Sequence, residues 1–242
     1  MFYTCLPIPS SWPVDFRWIA RWVPCVGLMI GGLLVLVDEA LVLLQVPYLV
    51  ASGLVVALWL ALTGGLHMDG VMDVADGLAV PDPQRRLAVM ADSRMGAFGG
   101  MAAVVVIVLK ILSLAAMGQF RWFAIVAACA WGRWAQQWAI AYYPYLKKEG
   151  KGAQHKAALP SIWYTVPNAA LLCGLSLCLG LTAIVSWSLV LRASVCGWAI
   201  ACLVSAYFHR QLGGHTGDTY GAVVEWTEVL LLCCLSAGQP GL

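Results

Sequence analysis

The chain has 242 residues, of which 62% are hydrophobic and only 11% are charged, and its formal net charge at pH 7 is +2. Soluble domains carry about 25% charged residues, so this composition excludes an ordinary soluble enzyme and predicts a membrane protein with several spans. The small net charge gives no indication of nucleic-acid binding. Nine scattered cysteines without a C-x-x-C pair predict neither a disulfide framework nor a zinc site.

Apolar stretches of spanning length recur along the chain. A helix needs roughly 20 predominantly apolar residues to cross the hydrocarbon core. Seven stretches approach this length, near residues 19–37, 47–66, 97–118, 121–142, 163–185, 189–208 and 222–238. We therefore predict an all-α, polytopic integral membrane bundle of about seven transmembrane helices, with a single membrane domain over residues 1–242.

The charged residues concentrate in three windows: 67–94 holds eight, 144–156 holds five and 209–228 holds four. Two predicted spans separate each window from the next, so all three should lie on the same side of the membrane. The second window carries four lysines, and the positive-inside rule places it in the cytoplasm. We therefore predict a multi-pass protein of the cytoplasmic (inner) membrane whose polar windows face the cytoplasm.

The first window contains a regularly spaced set of acids in "HMDGVMDVADG". Asp69, Asp73 and Asp76 stand at i, i+4 and i+7, which places them on one face of a helix. Like charges at this spacing repel, and a membrane boundary solvates them poorly. Mg²⁺ would relieve the repulsion, because it prefers carboxylate oxygens and also binds substrate phosphates. The spacing predicts a magnesium site, although a solvated acidic helix end would show the same pattern.

Four further side chains near these acids are candidates for the site. Asp92 would join the metal shell or pair with Arg94, and Arg94 could otherwise clamp a phosphate. His67 could bind phosphate, orient a carboxylate or be a hydrogen-bonded interfacial histidine. Arg133 is a charge in an apolar stretch and needs an anion, either a substrate phosphate or an acid of these clusters. Lys110 is predicted to extend its ammonium to the membrane surface.

The third window predicts a second half of the site. Its glycines and threonines suit a backbone that wraps a phosphate or a sugar, and the candidates are Gly213, Gly214 and Thr216. Asp218, Glu225 and Glu228 follow at i, i+7 and i+10, on one side of a helix. These acids could bind metal or abstract a proton.

Three strings in this order resemble the cobalamin synthase family: "TGGLHMDGVMDVADG" (63–77), "MADSRMGAFG" (90–99), and "LGGHTGDTYGA" (212–222) followed by Glu225. The "LPIP" (6–9) and "KKEGKG" (147–152) strings are also similar to loops of that family. The resemblance implies an Mg²⁺-dependent membrane enzyme for the last assembly step of cobalamin synthesis. Such an enzyme joins adenosylcobinamide-GDP to α-ribazole, or to its 5′-phosphate, and releases GMP.

This reaction fits the candidate residues, which by themselves indicate only metal-assisted phosphoryl transfer. Mg²⁺ held by the three aspartates of the first window would offset charge on the leaving GMP. Asp218 or Glu225 would take the proton of the acceptor hydroxyl. Whether the acceptor carries a phosphate, which acid is the base and whether the protein forms a homo-oligomer stay open at this point.

Two other classes of protein share some of these features. CDP-alcohol phosphotransferases have a motif that begins D-x-x-D-G, as residues 73–77 do, but residues 78–81 ("LAVP") lack the Ala-Arg that follows in that family. A cation transporter would line a pathway with buried acids. Here the acids cluster toward one face, which favours an enzyme.

Overall fold

The structure is a computed structural model that describes residues 19–147 and 150–237. The "LPIP" string and Lys148 lie outside the described residues. Within these ranges the chain forms α-helices joined by short loops and 3-10 turns, with no β-strand. The helices are α1 Val23–Leu43, α2 Tyr48–Thr63, α3 Leu66–Ala79, α4 Pro83–Met90, α5 Ala97–Ala115, α6 Arg121–Tyr142, α7 Lys151–Ala158, α8 Val166–Leu181, α9 Trp187–Leu212 and α10 Gly217–Ser236.

The prediction of an all-α, polytopic membrane bundle is confirmed. Among the described residues, five helices are long and apolar enough to cross a membrane, and the bent pair α2–α3 would make a sixth. The remaining predicted span, 121–142, corresponds to α6, which has the predicted bounds. Each of the seven apolar stretches therefore contains a helix.

The centre of the bundle is α6, which is buried along almost its whole length. It packs against α1, α9 and α10. Many of its buried positions are alanines, and small residues let helices approach closely where lipid removes the usual hydrophobic driving force. This central position explains how α6 can carry polar side chains inside an apolar bundle.

A sharp bend separates α2 from the helix that carries the acid triad. Gly64 and Gly65 both adopt left-handed conformations, with φ of 64° and 68°, which glycine adopts without steric cost. The two helix axes differ in direction by 90°. This bend ends the apolar helix and turns α3 across the neighbouring helices α5 and α10.

The three charged windows meet at one end of the bundle, as predicted. Lys147 of the second window lies beside Asp218 of the third, with 3.4 Å between Nζ and Oδ2. Arg86 of the first window donates to the backbone carbonyl of Gln211 at 2.9 Å. The side of the membrane on which this end lies stays a prediction.

Candidate active site

The acids of α3 and the first turn of α10 form one surface, here called the acid face: Asp69, Asp73, Asp76 and Asp218. A Cβ added to Gly70 would lie 2.3 Å from the carbonyl oxygen of Asp218, so only glycine permits this approach of the two helices. Asp69, Asp218 and Asp76 all disfavour the negative charge of Asp73. The structure therefore brings the predicted triad together with Asp218, one of the two residues predicted as the base, whereas Glu225 lies in the interior with Lys110.

Asp76 ties the acid face to α5. Its Oδ2 accepts a hydrogen bond from the Gly96 amide at 2.7 Å, and its Oδ1 accepts one from the Gly99 amide at 2.9 Å. A carboxylate is favourable beside the unpaired amides of a helix N-terminus. The carboxylates of Asp69 and Asp73, by contrast, make no hydrogen bond or ion pair with the described part of the chain.

The loop between α9 and α10, which is predicted to bind phosphate, is held in place by packing contacts and hydrogen bonds. Gly213 ends α9, and Gly214 lies against Pro144 and Leu146. The Thr216 hydroxyl accepts a hydrogen bond from the Thr219 amide and so caps α10. The same hydroxyl donates to Asp218 Oδ2 at 3.2 Å. The loop thus fixes Asp218 at the start of α10, and phosphate binding by its residues stays a prediction.

A short extended segment after α6 holds Lys147 at this site. The Leu146 amide donates to the His215 carbonyl, and the His215 amide donates to the Pro144 carbonyl, both at 2.9 Å. The Tyr145 ring stacks on Tyr220 with 5.7 Å between centroids. The sequence identified Lys147 only as a marker of membrane topology. Its pairing with Asp218 depends on these long-range contacts, which the sequence alone does not show.

His215 is a buried histidine that the sequence reasoning did not single out. Its Nε2 lies 3.2 Å from the Ser205 carbonyl and its Nδ1 lies 3.1 Å from the Thr219 hydroxyl. Burial lowers the pKa of His215 to about 4, so the ring is neutral at pH 7. Its position inside "GGHTGD" was visible in the sequence, but its burial was not.

A second charged cluster lies deeper in the bundle, between α5 and α10. Lys110 Nζ lies 2.7 Å from Glu225 Oε2 and 2.6 Å from Glu228 Oε2. The three side chains are at most 1% exposed. Glu225 and Glu228 do lie on one side of α10, as predicted, but a lysine neutralises them. The prediction that Lys110 extends to the membrane surface is wrong, because these two carboxylates stabilise its charge inside the bundle.

His67 and Arg133 contact each other next to the buried Lys110 cluster. Arg133 Nη1 lies 3.0 Å from His67 Nε2, and the two side chains are buried. Glu228 also attracts the Arg133 guanidinium. Arg133 therefore lies among the acids of the interior, one of the two environments predicted for it, and phosphate binding by Arg133 stays a prediction.

Asp92 and Arg94 pair with each other on the exposed turn between α4 and α5. Arg94 Nη2 lies 2.7 Å from Asp92 Oδ2, with 87% and 38% of the two side chains exposed. Hydrogen bonds from Arg94 lower the pKa of Asp92 to about 2. Of the two alternatives predicted for Asp92, the structure shows the pairing with Arg94.

No group of three His, Cys, Asp or Glu side chains in residues 19–147 and 150–237 is arranged to hold a metal ion. Asp69, Asp73, Asp76 and Asp92 therefore do not form a complete metal shell by themselves. Metal binding by the acid face stays a prediction.

Comparison with known proteins gives the family. A family model described as cobalamin-5-phosphate synthase matches residues 1–236. The chain is 52% identical over 236 residues to an adenosylcobinamide-GDP ribazoletransferase of Trichormus variabilis, covering 98% of this chain and 94% of that protein. It is also 52% identical over 240 residues to the enzyme of that name from Thermosynechococcus vestitus, with the same coverage. No solved structure matches the chain. The chain belongs to the cobalamin-5-phosphate synthase family.

Proposed function

We propose that this protein joins adenosylcobinamide-GDP to α-ribazole 5′-phosphate and releases GMP, the last assembly step of cobalamin synthesis. The names of its relatives support the transferase activity. The family description refers to cobalamin 5-phosphate, which favours the phosphorylated acceptor over free α-ribazole. The observation that carries the proposal is the acid face, where α3 and the start of α10 meet at Gly70.

Mg²⁺ is the cofactor that the acid face fits best. Its carboxylates are hard oxygen donors, and Mg²⁺ commonly uses one or two carboxylates together with water and substrate phosphates. A complete set of three protein ligands is therefore not required. Asp69 and Asp73 are the first candidates to hold it, because both oxygens of Asp76 already accept hydrogen bonds from α5. When bound, Mg²⁺ would offset the charge that develops on the leaving GMP.

Asp218 is the better candidate for the general base. Its side chain is 27% exposed at the edge of the acid face, whereas Glu225 is 0% exposed and paired with Lys110. Asp218 would accept the proton as the acceptor oxygen attacks the phosphorus of the diphosphate, and the bond from that phosphorus to the GMP oxygen breaks. The Lys147 ammonium beside Asp218 would attract the phosphates to this surface.

Assay of the purified protein in liposomes tests the proposal. Adenosylcobinamide-GDP with Mg²⁺ should release little GMP alone, and adding α-ribazole 5′-phosphate should release GMP in amounts equal to the corrinoid product. The reason is that an acceptor held in line gains roughly 7–11 kcal/mol over a random encounter. Equal GMP release without acceptor would instead indicate a pyrophosphatase. Transfer from a CDP-linked donor would favour the CDP-alcohol phosphotransferase alternative.

We also propose that the acid face lies on the cytoplasmic side of the inner membrane, whether the protein is a monomer or a homo-oligomer. The basic residues at this end of the bundle support this orientation. In a cysteine-free background, cysteines at the exposed positions Gln84 and Gln154 should react only with a cytoplasmic reagent. A cysteine at Leu44, which is 74% exposed in the turn after α1, is the control and should react only from outside. Reaction of Gln84→Cys from outside would contradict the proposed orientation.

A further inference from the structure

We propose that a cavity between α3, α9 and α10 binds one acyl chain of an anionic phospholipid, and that Arg86 and Arg210 hold the phosphate of the same lipid at the polar end of the cavity. The bound lipid supports α3 from the side opposite to the acid face. The lipid site itself is independent of the proposed function, and only its effect on turnover rests on that function.

The cavity has a volume of about 410 Å³, which is within the range of small-ligand sites. Its lining includes Val71, Val74 and Leu78 of α3, Leu203 and Tyr207 of α9, and Trp226 of α10. None of the described side chains that line it is charged. A phosphate, a nucleotide or a metal ion would lose its solvation there without gaining a partner, so the cavity suits hydrocarbon.

The cavity lies on the opposite side of α3 from the acid face. At about 100° per residue, Val71 and Leu78 point roughly 170° away from the middle of the arc of the three aspartates. The axis of α3 is turned by 90° from that of α2, and α3 packs on α5 and α10. A diphosphate held by the acids therefore lies across α3 from the cavity, and a separate molecule must fill it.

The cavity opens toward the lipid. Leu203 and Tyr207 are 69% and 52% exposed, and they belong to α9, which is long and apolar enough to span the membrane. Leu203 lies nine residues before the last residue of α9, which is roughly 14 Å along the helix. This depth is about half the thickness of the hydrocarbon core, which is the part that one leaflet fills. The solvent next to this opening is therefore acyl chain.

Arg86 joins the two walls of the cavity at its polar end. Its Nε donates to the Val80 carbonyl at 3.3 Å, and its Nη1 donates to the Gln211 carbonyl at 2.9 Å. Val80 follows Leu78 by two residues, and Gln211 follows Tyr207 by about one helical turn. The guanidinium therefore lies just beyond the apolar lining, where a lipid head group would be.

Arg210 adds a second positive charge at the same end. It follows Tyr207 by three residues, which places it about one turn further along the same side of α9. It is exposed and makes no hydrogen bond or ion pair with the described part of the chain. A guanidinium can bind a phosphate through two parallel hydrogen bonds. Basic side chains next to an apolar site at the membrane surface bind anionic lipids, so the charge selects an anionic phospholipid over a zwitterionic one.

Native mass spectrometry of the delipidated protein tests the head group. Phosphatidylglycerol and phosphatidylcholine with the same acyl chains would be added separately, and we expect one phosphatidylglycerol to bind more tightly. Arg210→Gln should weaken its binding about fivefold, the effect of one basic side chain at an anionic lipid. Arg210→Lys keeps the charge and should keep most of the affinity. Equal affinities for the two lipids, or native affinity in Arg210→Gln, would overturn the assignment of the phosphate.

A matched pair of substitutions on α3 tests the acyl-chain site. Ala75 lines the cavity, whereas Ala79, one turn later, is exposed outside it. Ala75→Phe should weaken lipid binding at least tenfold, because each methylene that it displaces loses its burial, and Ala79→Phe should bind normally. Phosphatidylglycerol should raise the thermal midpoint of the native protein and of Ala79→Phe, but not of Ala75→Phe. Leu203→Trp, at the exposed opening, replaces Ala75→Phe if the latter does not fold. Native lipid binding in the folded cavity variant would overturn the proposal.

Addition of adenosylcobinamide-GDP with Mg²⁺ distinguishes a lipid site from a substrate site. We expect phosphatidylglycerol to stay bound with unchanged affinity, and its displacement would assign the cavity to the substrate and overturn the proposal. In the liposome assay, GMP release should be up to about fivefold slower in pure phosphatidylcholine than with phosphatidylglycerol, following the difference in affinity. Equal rates would overturn the support of α3 by the lipid. Loss of GMP release in every lipid, with phosphatidylglycerol still bound, would contradict the proposed function and leave the lipid site standing.

Discussion

The acid face and the buried Lys110 cluster both concentrate carboxylates, but they balance charge in opposite ways. The acid face has four aspartates, and the cation that pairs with it among the described residues is Lys147, at 3.4 Å from Asp218. In the buried cluster, Lys110 lies within 2.7 Å of both Glu225 and Glu228, and Arg133 adds a second positive charge. The buried charges neutralise one another, whereas the open face keeps a negative excess that a cation must offset.

The opposite end of the bundle provides a second example of buried charges that neutralise each other. Arg121 at the start of α6 forms a buried two-point ion pair with Asp38 near the end of α1. Its Nη1 also donates to the Ser52 hydroxyl at 2.9 Å and to the Leu114 carbonyl at 3.0 Å. This pair joins α1, α2, α5 and α6. The comparison indicates that clusters with balanced charges hold helices together, and the unbalanced acid face is the surface to which we assign the proposed reaction.

The largest effect is expected when the proposed general base of the acid face is removed. Asp218→Asn keeps the size of the side chain but cannot take a proton, so turnover should fall about 1,000-fold, within the usual range for a general base. The thermal midpoint should change little, because Asp218 is partly exposed. GMP release and thermal unfolding in detergent would be measured together. A loss below tenfold would remove Asp218 from the chemistry.

The second-largest effect is expected on the free energy of unfolding, when the buried Lys110 cluster loses its lysine. Lys110→Met would leave two buried glutamates without their cation, and the free energy of unfolding should fall by about 3 kcal/mol. Thermal unfolding followed by tryptophan fluorescence would detect this loss. Adding Glu225→Gln and Glu228→Gln to this variant should recover part of it, because the unpaired charges are then removed. An unchanged midpoint in Lys110→Met would contradict the neutral-cluster interpretation.

A smaller effect is expected at the far end of the bundle. Asp38→Asn removes the charge of the ion pair while Arg121 keeps its bonds to Ser52 and Leu114, so the free energy of unfolding should fall by about 2 kcal/mol. Turnover of the folded fraction should stay native, since this pair lies at the other end from Asp218. A selective loss of turnover would show that the two ends are coupled.

Much of this architecture was predictable because it depends on local sequence. Runs of about 20 apolar residues predicted the positions of the long helices, and the spacing of Asp69, Asp73 and Asp76 predicted their common helix face. The sharp bend at Gly64–Gly65 was not predicted, because an apolar run with two glycines can also continue straight. The short helices α4 and α7 were missed because they lie within polar windows.

The pairing partners were not predictable for a different reason. Lys110 meets Glu225 only because α5 packs on α10, and an apolar stretch does not show which neighbour each face will contact. The same applies to Arg133 and His67, which are 66 residues apart in the chain. Local pattern identified the charged side chains, and tertiary packing determined which of them neutralise one another.

The smallest expected effect tests the neutral histidine that supports the acid face. The pKa of His215 is about 4 in the folded protein, below its ordinary value of 6.5, because the ring is buried. Between these two values the unfolded chain binds a proton that the folded chain does not, so stability falls as the pH is lowered through this window. From pH 7.5 to 5.5 this contribution should be about 1 kcal/mol. Other groups also titrate in this range, so the matched control is His215→Asn, which lacks the ring. The thermal midpoint should fall further on acidification in the native protein than in His215→Asn, and equal falls would show that His215 is accessible to protons in the folded state.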